Sequence, residues 1–316
     1  MPEAHPDFDV DELPPWERTQ EWAQPIDWAA FWSIEQTVED WLIEPVIAAG
    51  RQTAIYSAAK TGKSLLALDI AAAAACGRSV LGYPARDPMT VMYVDLEMTE
   101  ADLRERLSDL GYGPDDDLSR LVYYQLPAWP PLDGDLGGTV LTETALRHAS
   151  VLVVIDTMAR AVSGAEDSAD TYRDFYRHTG RALKAAGIAL LRLDHMGKEA
   201  AAGQRGSSAK ADDVDIVFRL VQLDAKTLKL TCTHSRPGWV PSEIPLVRQL
   251  EPVLRHSVSE DAVPAGTHEC VLALDELGVP LDATANAALS ALRRVDRGCR
   301  KTVVLAALKA RRKRPS

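Results

Sequence analysis

The chain has 316 residues, of which 46% are apolar and 26% charged, with a net charge of −11. That length suits one α/β domain of about 200 to 250 residues with a small appendage, and the longest apolar run, around Ile70 to Cys76, is too short and too rich in Ala to span a bilayer. The four cysteines, Cys76, Cys232, Cys270 and Cys299, lack any paired spacing, which argues against a zinc site and a disulfide framework and reads as reduced, buried small apolar residues.

Residues 1–39 read as an acidic, Trp-containing arm. Residues 1 to 40 carry eleven acidic side chains against one basic residue, Arg18, and the first twenty-five, with Trp16 and Trp22, show no helical or strand period. The opening Met-Pro-Glu-Ala-His-Pro-Asp is acidic and lacks the apolar stretch of a secretory signal, so a cytoplasmic protein without membrane contact is expected. From Ile26 to Ile43 the residues Trp28, Phe31, Trp32, Ile34, Val38, Trp41 and Leu42 suit the apolar face of one or two short helices. Those aromatics either pack on the domain that follows or dock on a neighbouring subunit; no other partner of the arm is legible.

Residues 40–255 alternate strand and helix, which predicts a mostly parallel sheet covered by helices. Strand Thr53 to Tyr56 is followed by an amphipathic helix, Lys63 to Cys76, with Leu65, Leu66, Leu68, Ile70 and Ala73 as its apolar residues. Strand Thr90 to Leu96, helix Glu100 to Leu110 and strand Leu121 to Leu126 come next, then a Pro-rich loop, Pro127 to Gly138, and a helix near Thr139 to His148. Val151 to Ile155 is continuously apolar, as a buried central strand should be. Helix Asp170 to Ala186 leads to strand Ile188 to Leu193, and Gly197 to Asp213 looks like a mobile loop. Val214 to Leu223 and Leu228 to Thr233 alternate as an antiparallel hairpin, with a further strand near Ile244 to Val247. A linker at 256–265 precedes a helical, basic module at 266–316. Its three helices are Thr267 to Leu277, Ala283 to Val295 with Asp282 as the N-cap, and Arg300 to Arg312. Between Arg293 and Arg314 ten Lys/Arg face the single Asp296, so this end can attract nucleic acid although the whole chain is acidic.

The stretch Gln52-Thr-Ala-Ile-Tyr-Ser-Ala-Ala-Lys-Thr-Gly-Lys-Ser64 joins a strand, a tight turn and a helix. It reads as a phosphate cradle built from Ser57, Ala58, Ala59, Lys60, Thr61, Gly62, Lys63, Ser64 and Leu65. Gly62, Lys63 and Ser64 fill the second half of the P-loop pattern, while Ser57 stands where its first Gly should be. The chemistry needs successive backbone N–H groups, a helix N-terminus, a Lys for the β/γ-phosphates and a hydroxyl for Mg²⁺, and Ser57 and Ala58 are small enough to allow it. A second apolar strand, Val151-Leu-Val-Val-Ile-Asp156, places a carboxylate at the C-terminal edge of the sheet for the metal. Val94-Asp95-Leu96-Glu97-Met98 supplies a carboxylate to activate water. Glu97 stands at the strand end, and Asp95 competes with it.

Together with a later strand ending in Asp-His-Met-Gly-Lys, these elements resemble the RecA-like P-loop ATPases over about Asp40 to Gln249. They are most similar to the branch of ring-forming replicative helicases of the RepA and DnaB types, AAA family ATPases of plasmids, phages and other mobile elements. The resemblance implies a RecA-like P-loop NTPase core with ATP and Mg²⁺ as cofactors. Lys63 and Ser64 would hold phosphate and metal, Asp156 would be Walker B, Glu97 the general base and His195 the polar sensor of the γ-phosphate. Arg205, in Arg205-Gly-Ser, matches a position that bears a trans-acting finger in one branch and a DNA-backbone contact in another, and Arg236, in Thr233-His-Ser-Arg-Pro-Gly238, matches a finger with His234 replacing the family's Lys, so the two compete for the finger role. A finger implies a ring, commonly a hexamer, because it serves a neighbour's ATP. Single-stranded DNA is the implied partner. The terminal module resembles a helix-turn-helix or winged helix, with Arg300 to Arg314 facing DNA. The function implied is a helicase or translocase, the alternative being an ATP-gated DNA-binding or loader protein that does not unwind.

Overall fold

The computed structural model describes residues 25–33, 41–165, 168–196, 213–259, 267–295 and 297–313. Residues up to Asp40 and those from Trp41 onward form two compact units. In the first, helix α1 (Trp28–Ser33) is exposed throughout, and Phe31 meets Trp28 and Trp32 edge-on at 5.7 and 5.1 Å.

The second unit opens on an antiparallel strand pair. Trp41, Leu42 and Ile43 were expected in a helix, yet β1 (Trp41–Ile43) pairs antiparallel with β2 (Ile47–Ala48). Trp41 and Ile43 both face inward, a period of two, and the Trp41 ring lies 4.5 Å from that of Trp239. The main sheet then forms from β3 (Gln52–Ser57), β4 (Val91–Asp95), β5 (Leu121–Gln125), β6 (Leu152–Asp156), β7 (Ala189–His195), β8 (Ile216–Gln222), β9 (Thr227–Ser235), β10 (Glu243–Gln249) and β11 (Arg255–Val258). Its order is β11-β10-β9-β8-β3-β7-β6-β4-β5. From β8 to β5 every neighbour is parallel, and β9 to β11 add an antiparallel extension. Strand β9 carries a bulge where its pairing with Val217 and Phe218 of β8 shifts register. This is the mostly parallel, helix-covered sheet of a RecA-like P-loop core.

Alternation along the central strands explains the layering. In β6, Leu152 and Val154 join one core with Ile55, Leu66 and Leu191, whereas Val153 and Ile155 join another with Tyr172, Phe175 and Leu190. A strand buried on both faces reads as an unbroken apolar run, which is why β6 was legible. Helix α2 (Lys63–Ala75) differs from its expected amphipathic character, because from Leu66 onward every residue is buried. Strand β11, absent from the expected elements, lies over it: the His256 amide donates to Asp69 Oδ2 of α2 at 2.8 Å. The same strand holds Arg255–Val258 in the sheet, beyond the boundary expected at 255.

Helix α3 (Glu100–Asp109) follows β4, and α4 (Asp135–Arg147) follows β5. Helix α4 starts inside the stretch expected to be loop. Gly137 and Gly138, which read as loop formers, are there for close approach: a Cβ on either would strike the carbonyl of Pro131 or of His178. A short α5 (Met158–Ala161) follows β6, and α6 (Ala169–Phe175) runs through a π turn, Tyr176–Gly180, into α7 (Arg181–Ala185).

Three helices close the chain, α8 (Thr267–Glu276), α9 (Ala285–Arg294) and α10 (Lys301–Lys313), around Leu274, Ala288, Leu292, Val304 and Ala307. The N-cap of α9 is Thr284, not Asp282, since the Thr284 hydroxyl accepts from the Ala287 amide at 3.2 Å. Of the cysteines only Cys270 is buried; Cys76, Cys232 and Cys299 are half-buried, and all four are free. Among the described residues no helix is long and apolar enough to cross a membrane.

The close approach at α4 sets a test of the packing. Gly→Ala in an open helix stabilises by about 1 kcal/mol, whereas forcing a methyl into a filled site costs about 1–3 kcal/mol. The steric term prevails at Gly138, so Gly138→Ala should lower the stability of the nucleotide-free protein in urea unfolding, where a solvent-facing helical Gly would raise it.

Candidate active site

Strand β3 ends at Ser57, and the turn from Ala58 to Gly62 hands the chain to α2. Lys60 and Gly62 take the left-handed conformation, with φ of 62° and 100°, so the turn reverses twice within three residues. Ser57 fits the place of the missing Gly because its hydroxyl bends back to the Ala58 carbonyl, 2.8 Å away. Thr61 Oγ1 donates to the same carbonyl, also at 2.8 Å. The first intrahelical bond runs from the Leu66 amide to the Gly62 carbonyl at 3.0 Å, and no side chain caps the helix start. The amides of Lys63, Ser64 and Leu65 therefore precede the helical ladder, at the positive end of the helix dipole. Ala58, Ala59 and Lys60 are exposed, while Lys63 is buried.

The two carboxylates named from sequence stand at the ends of adjacent strands, and one of them, Asp156, reaches the start of α2. Ser64 Oγ donates to Asp156 Oδ1 at 3.0 Å, and Tyr93 Oη donates to Asp156 Oδ2 at 2.8 Å. Asp156 is fully enclosed. Burial, reinforced by the charges of Asp95 and Glu97, pushes its carboxyl up to about 6 against the lowering effect of those two hydrogen bonds. Asp95, the competing candidate, is held by its surroundings. It is equally enclosed, its Oδ1 accepts from the Glu97 and Met98 amides at 2.9 and 3.0 Å, and its Oδ2 accepts from Tyr123 Oη at 2.5 Å. It shapes the strand end that carries Glu97.

Glu97 is partly open to solvent. Its Oε1 accepts from Thr157 Oγ1 and from Arg160 Nε, both at 3.1 Å, and His195 Nε2 lies 3.8 Å away. Burial alone would raise its carboxyl, but the hydrogen bonds from Thr157 and Arg160 and the charges of Arg160 and His195 more than reverse that, leaving it below the usual carboxylate range. His195 ends β7 level with Ser57, and the Met196 amide donates to the Ser57 carbonyl at 3.1 Å. Thus Lys63, Ser64, Asp156, Glu97 and His195 share one edge of the sheet.

Arg236 stands elsewhere. Its amide donates to the Asp215 carbonyl, and the Asp215 amide donates to the carbonyl of Gln52 at the start of β3, so Arg236 sits at the sheet edge opposite the turn. Arg205 lies outside the described residues, as does the segment 197–212 that holds it. In the terminal module Arg311 turns inward, donating to Asp275 Oδ1 at 2.6 Å and to the Val279 carbonyl at 2.7 Å; Arg297 is paired with Glu276 at 2.5 Å.

Sequence reasoning missed Tyr93, Thr157 and Arg160. Tyr93 had a signal, since it stands two residues before Asp95 and shares its strand face. Arg160 had none, because its contact with Glu97 joins α5 to a residue 63 positions away along the chain. It also missed Arg248, whose Nη2 donates to the Thr61 carbonyl at 3.3 Å from the far strand β10.

The residues present fit a nucleotide and a hard divalent cation. Among the described residues no cluster of three or more His, Cys, Asp or Glu side chains could hold a metal alone. A hydroxyl on a raised carboxylate is instead the sparse protein contribution that Mg²⁺ accepts when phosphate and water complete its shell. The charge on Asp156 carries a testable cost. With an unfolded pKa of about 3.9 and a folded one near 6, ionisation of this group opposes folding by about 3 kcal/mol at pH 7.5 and by about half that at pH 5. Stability from this group is thus greatest in acid and lost as pH rises through 6. In chelator, Asp156→Asn should raise the melting temperature at pH 7.5, by a margin that shrinks at pH 5.

A family model described as an AAA domain matches residues 17–201. No curated protein gives a significant match. The matched span takes in the cradle, both carboxylates, Arg160 and His195, and covers more than half of the sequence. The chain belongs to the AAA domain family of P-loop ATPases.

Proposed function

We propose that the chain is a Mg²⁺-dependent ATPase of the RecA type that works as a ring on DNA, with hydrolysis driving movement or remodelling of the strand. The observation that carries the hydrolytic part is the 3.0 Å contact of Ser64 with Asp156, beside which Thr157 holds Glu97. Cradle, metal carboxylate and base are thereby joined through two hydrogen bonds and the chain link from Asp156 to Thr157.

In this reading the amides at the start of α2 and the Lys63 ammonium bind the phosphate oxygens and neutralise charge as it grows on the β–γ bridge. Ser64 and Asp156 would hold Mg²⁺, which when bound orients the phosphates and draws off negative charge. Glu97 takes the proton of a water whose oxygen bonds to the γ-phosphorus as the bond to the leaving ADP oxygen breaks. His195, beside Glu97 and level with Ser57, registers whether the γ-phosphate is present. Arg236 lies at the edge of the sheet away from its own turn, which supports a role on another copy's nucleotide and hence a ring. Contact with single-stranded DNA is supported by the basic run 297–313, with Arg311 set aside for packing the module and Arg297 paired with Glu276 on its surface.

The contact of Arg160 with Glu97 favours a second reading, an ATP-gated loader that hydrolyses slowly and does not unwind. A base held by a guanidinium and lowered in pKa is a weak base until released.

Lys63→Ala should abolish nucleotide binding. Glu97→Gln should retain ATP while turnover falls by about 10²–10⁴-fold; full turnover in Glu97→Gln would remove the assignment. The particle mass with a non-hydrolysable ATP analogue and an oligonucleotide should be a multiple of 34.5 kDa, and strand displacement is expected together with DNA-stimulated hydrolysis. Stimulation without displacement selects the loader, and a lone subunit under both conditions removes the ring.

A further inference from the structure

We propose that Arg248 is a positioning cation of the nucleotide site, acting within its own subunit on the flank of the phosphate turn opposite the carboxylates; this rests on the nucleotide reading above. Three observations on separate elements carry it.

The first is contact. Arg248 belongs to β10, three strands from β3 in the sheet, yet its Nη2 donates to the Thr61 carbonyl at 3.3 Å. The guanidinium also occupies the space beside Gly62, where a Cβ would collide with it. Gly62 is therefore required twice, by its φ of 100° and by this cation.

The second is that the guanidinium is held from behind. Arg248 Nε donates to His256 Nε2 at 3.2 Å, and His256 Nδ1 lies 2.8 Å from Asp69 Oδ2. The neutral tautomer with its proton on Nδ1 satisfies both contacts: it accepts from the arginine and donates to the carboxylate. Asp69 sits in α2, on the helix that starts at Lys63, and also accepts the His256 amide. The chain Asp69–His256–Arg248–Thr61 thus leaves the helix and returns to the turn at its N-terminus through two strands of the antiparallel extension.

The third is charge. Among the described residues no carboxylate pairs directly with Arg248, and Asp69 reaches it only through the imidazole. The guanidinium is half-buried, and burial disfavours its charged form. An uncompensated cation against an anion-binding turn gains from a phosphate in that turn.

Its position also specifies what it does. On one side of β3 the strands β7, β6 and β4 bring His195, Asp156 and Glu97; Arg248 comes from the other side, through β8 to β10. It is remote from the group that activates water, so it binds substrate and product alike. Interactions equal in ground and transition states change affinity and leave kcat in place.

The experiment compares Arg248→Ala and Arg248→Lys with the parent in the full chain. It uses a fluorescent ADP analogue, a fluorescent non-hydrolysable ATP analogue, steady-state turnover and a melt without nucleotide. Arg248→Ala should weaken both analogues by about tenfold, the loss of one charge-assisted contact, with the same factor for each and kcat at saturation unchanged within about threefold. Arg248→Lys should recover most of the affinity, and the effect should not vary with protein concentration. ADP affinity within twofold of the parent overturns the proposal, as does a fall in kcat with ADP binding intact, the pattern of a group serving the transition state. Arg248→Met, which keeps the apolar stem, supplies the same comparison if the alanine variant does not fold. Lys63→Ala run in parallel separates the failures. If it too binds ADP normally, the nucleotide reading has fallen; if it alone loses ADP, only the role of Arg248 has.

Discussion

The bond from Ser64 to Asp156 is the constraint around which the site is arranged. It ties the first turn of α2 to the end of β6, although β7 stands between β6 and the strand that feeds the turn. A serine at a helix start and a carboxylate at a strand end are ordinary features. Brought within 3.0 Å, they fix the distance between the start of α2 and the carboxylate at the end of β6. The cost is an enclosed acid whose pKa is raised, a charge that the fold holds ready for a cation.

The two acids of β4 show how neighbours in sequence acquire separate duties. Asp95 points into the sheet edge, where two amides and the Tyr123 hydroxyl take up its oxygens. Glu97, two residues later, has left the strand and meets Thr157, Arg160 and solvent. The buried acid sets the path of the chain, and that path aims the open one. Rigidity of the first is what makes the second precise.

Much of this was legible in the sequence, for identifiable reasons. Continuous apolar runs such as Val151 to Ile155 mark strands buried on both faces, and the stretch from Gln52 to Ser64 records a strand, a turn and a helix start in one reading. What escaped depends on contacts distant along the chain. Trp41 to Ile43 has too few residues to distinguish a period of two from one of 3.6. Gly137 and Gly138 look like loop residues because nothing local reveals the carbonyls pressed against them. Strand β11 is short and polar, with its one fully buried residue, His256, held by Asp69 from another element. Missing that strand also hid why α2 is buried on its outer side and why Arg248 reaches the turn.

Strand β9 has a mechanical corollary. Its nine residues extend about 30 Å at 3.4 Å each, from the turn next to Arg248 to the threshold of Arg236 on the far edge. A hydrogen-bonded strand neither stretches nor shortens appreciably, so it behaves as a strut between the phosphate-turn end of the sheet and the end that carries Arg236. The ladder to β8 loses register only at the bulge opposite Val217 and Phe218, close to the Arg236 end. The bulge bends and twists the strand there, next to the arginine, while the rest of the ladder keeps its register.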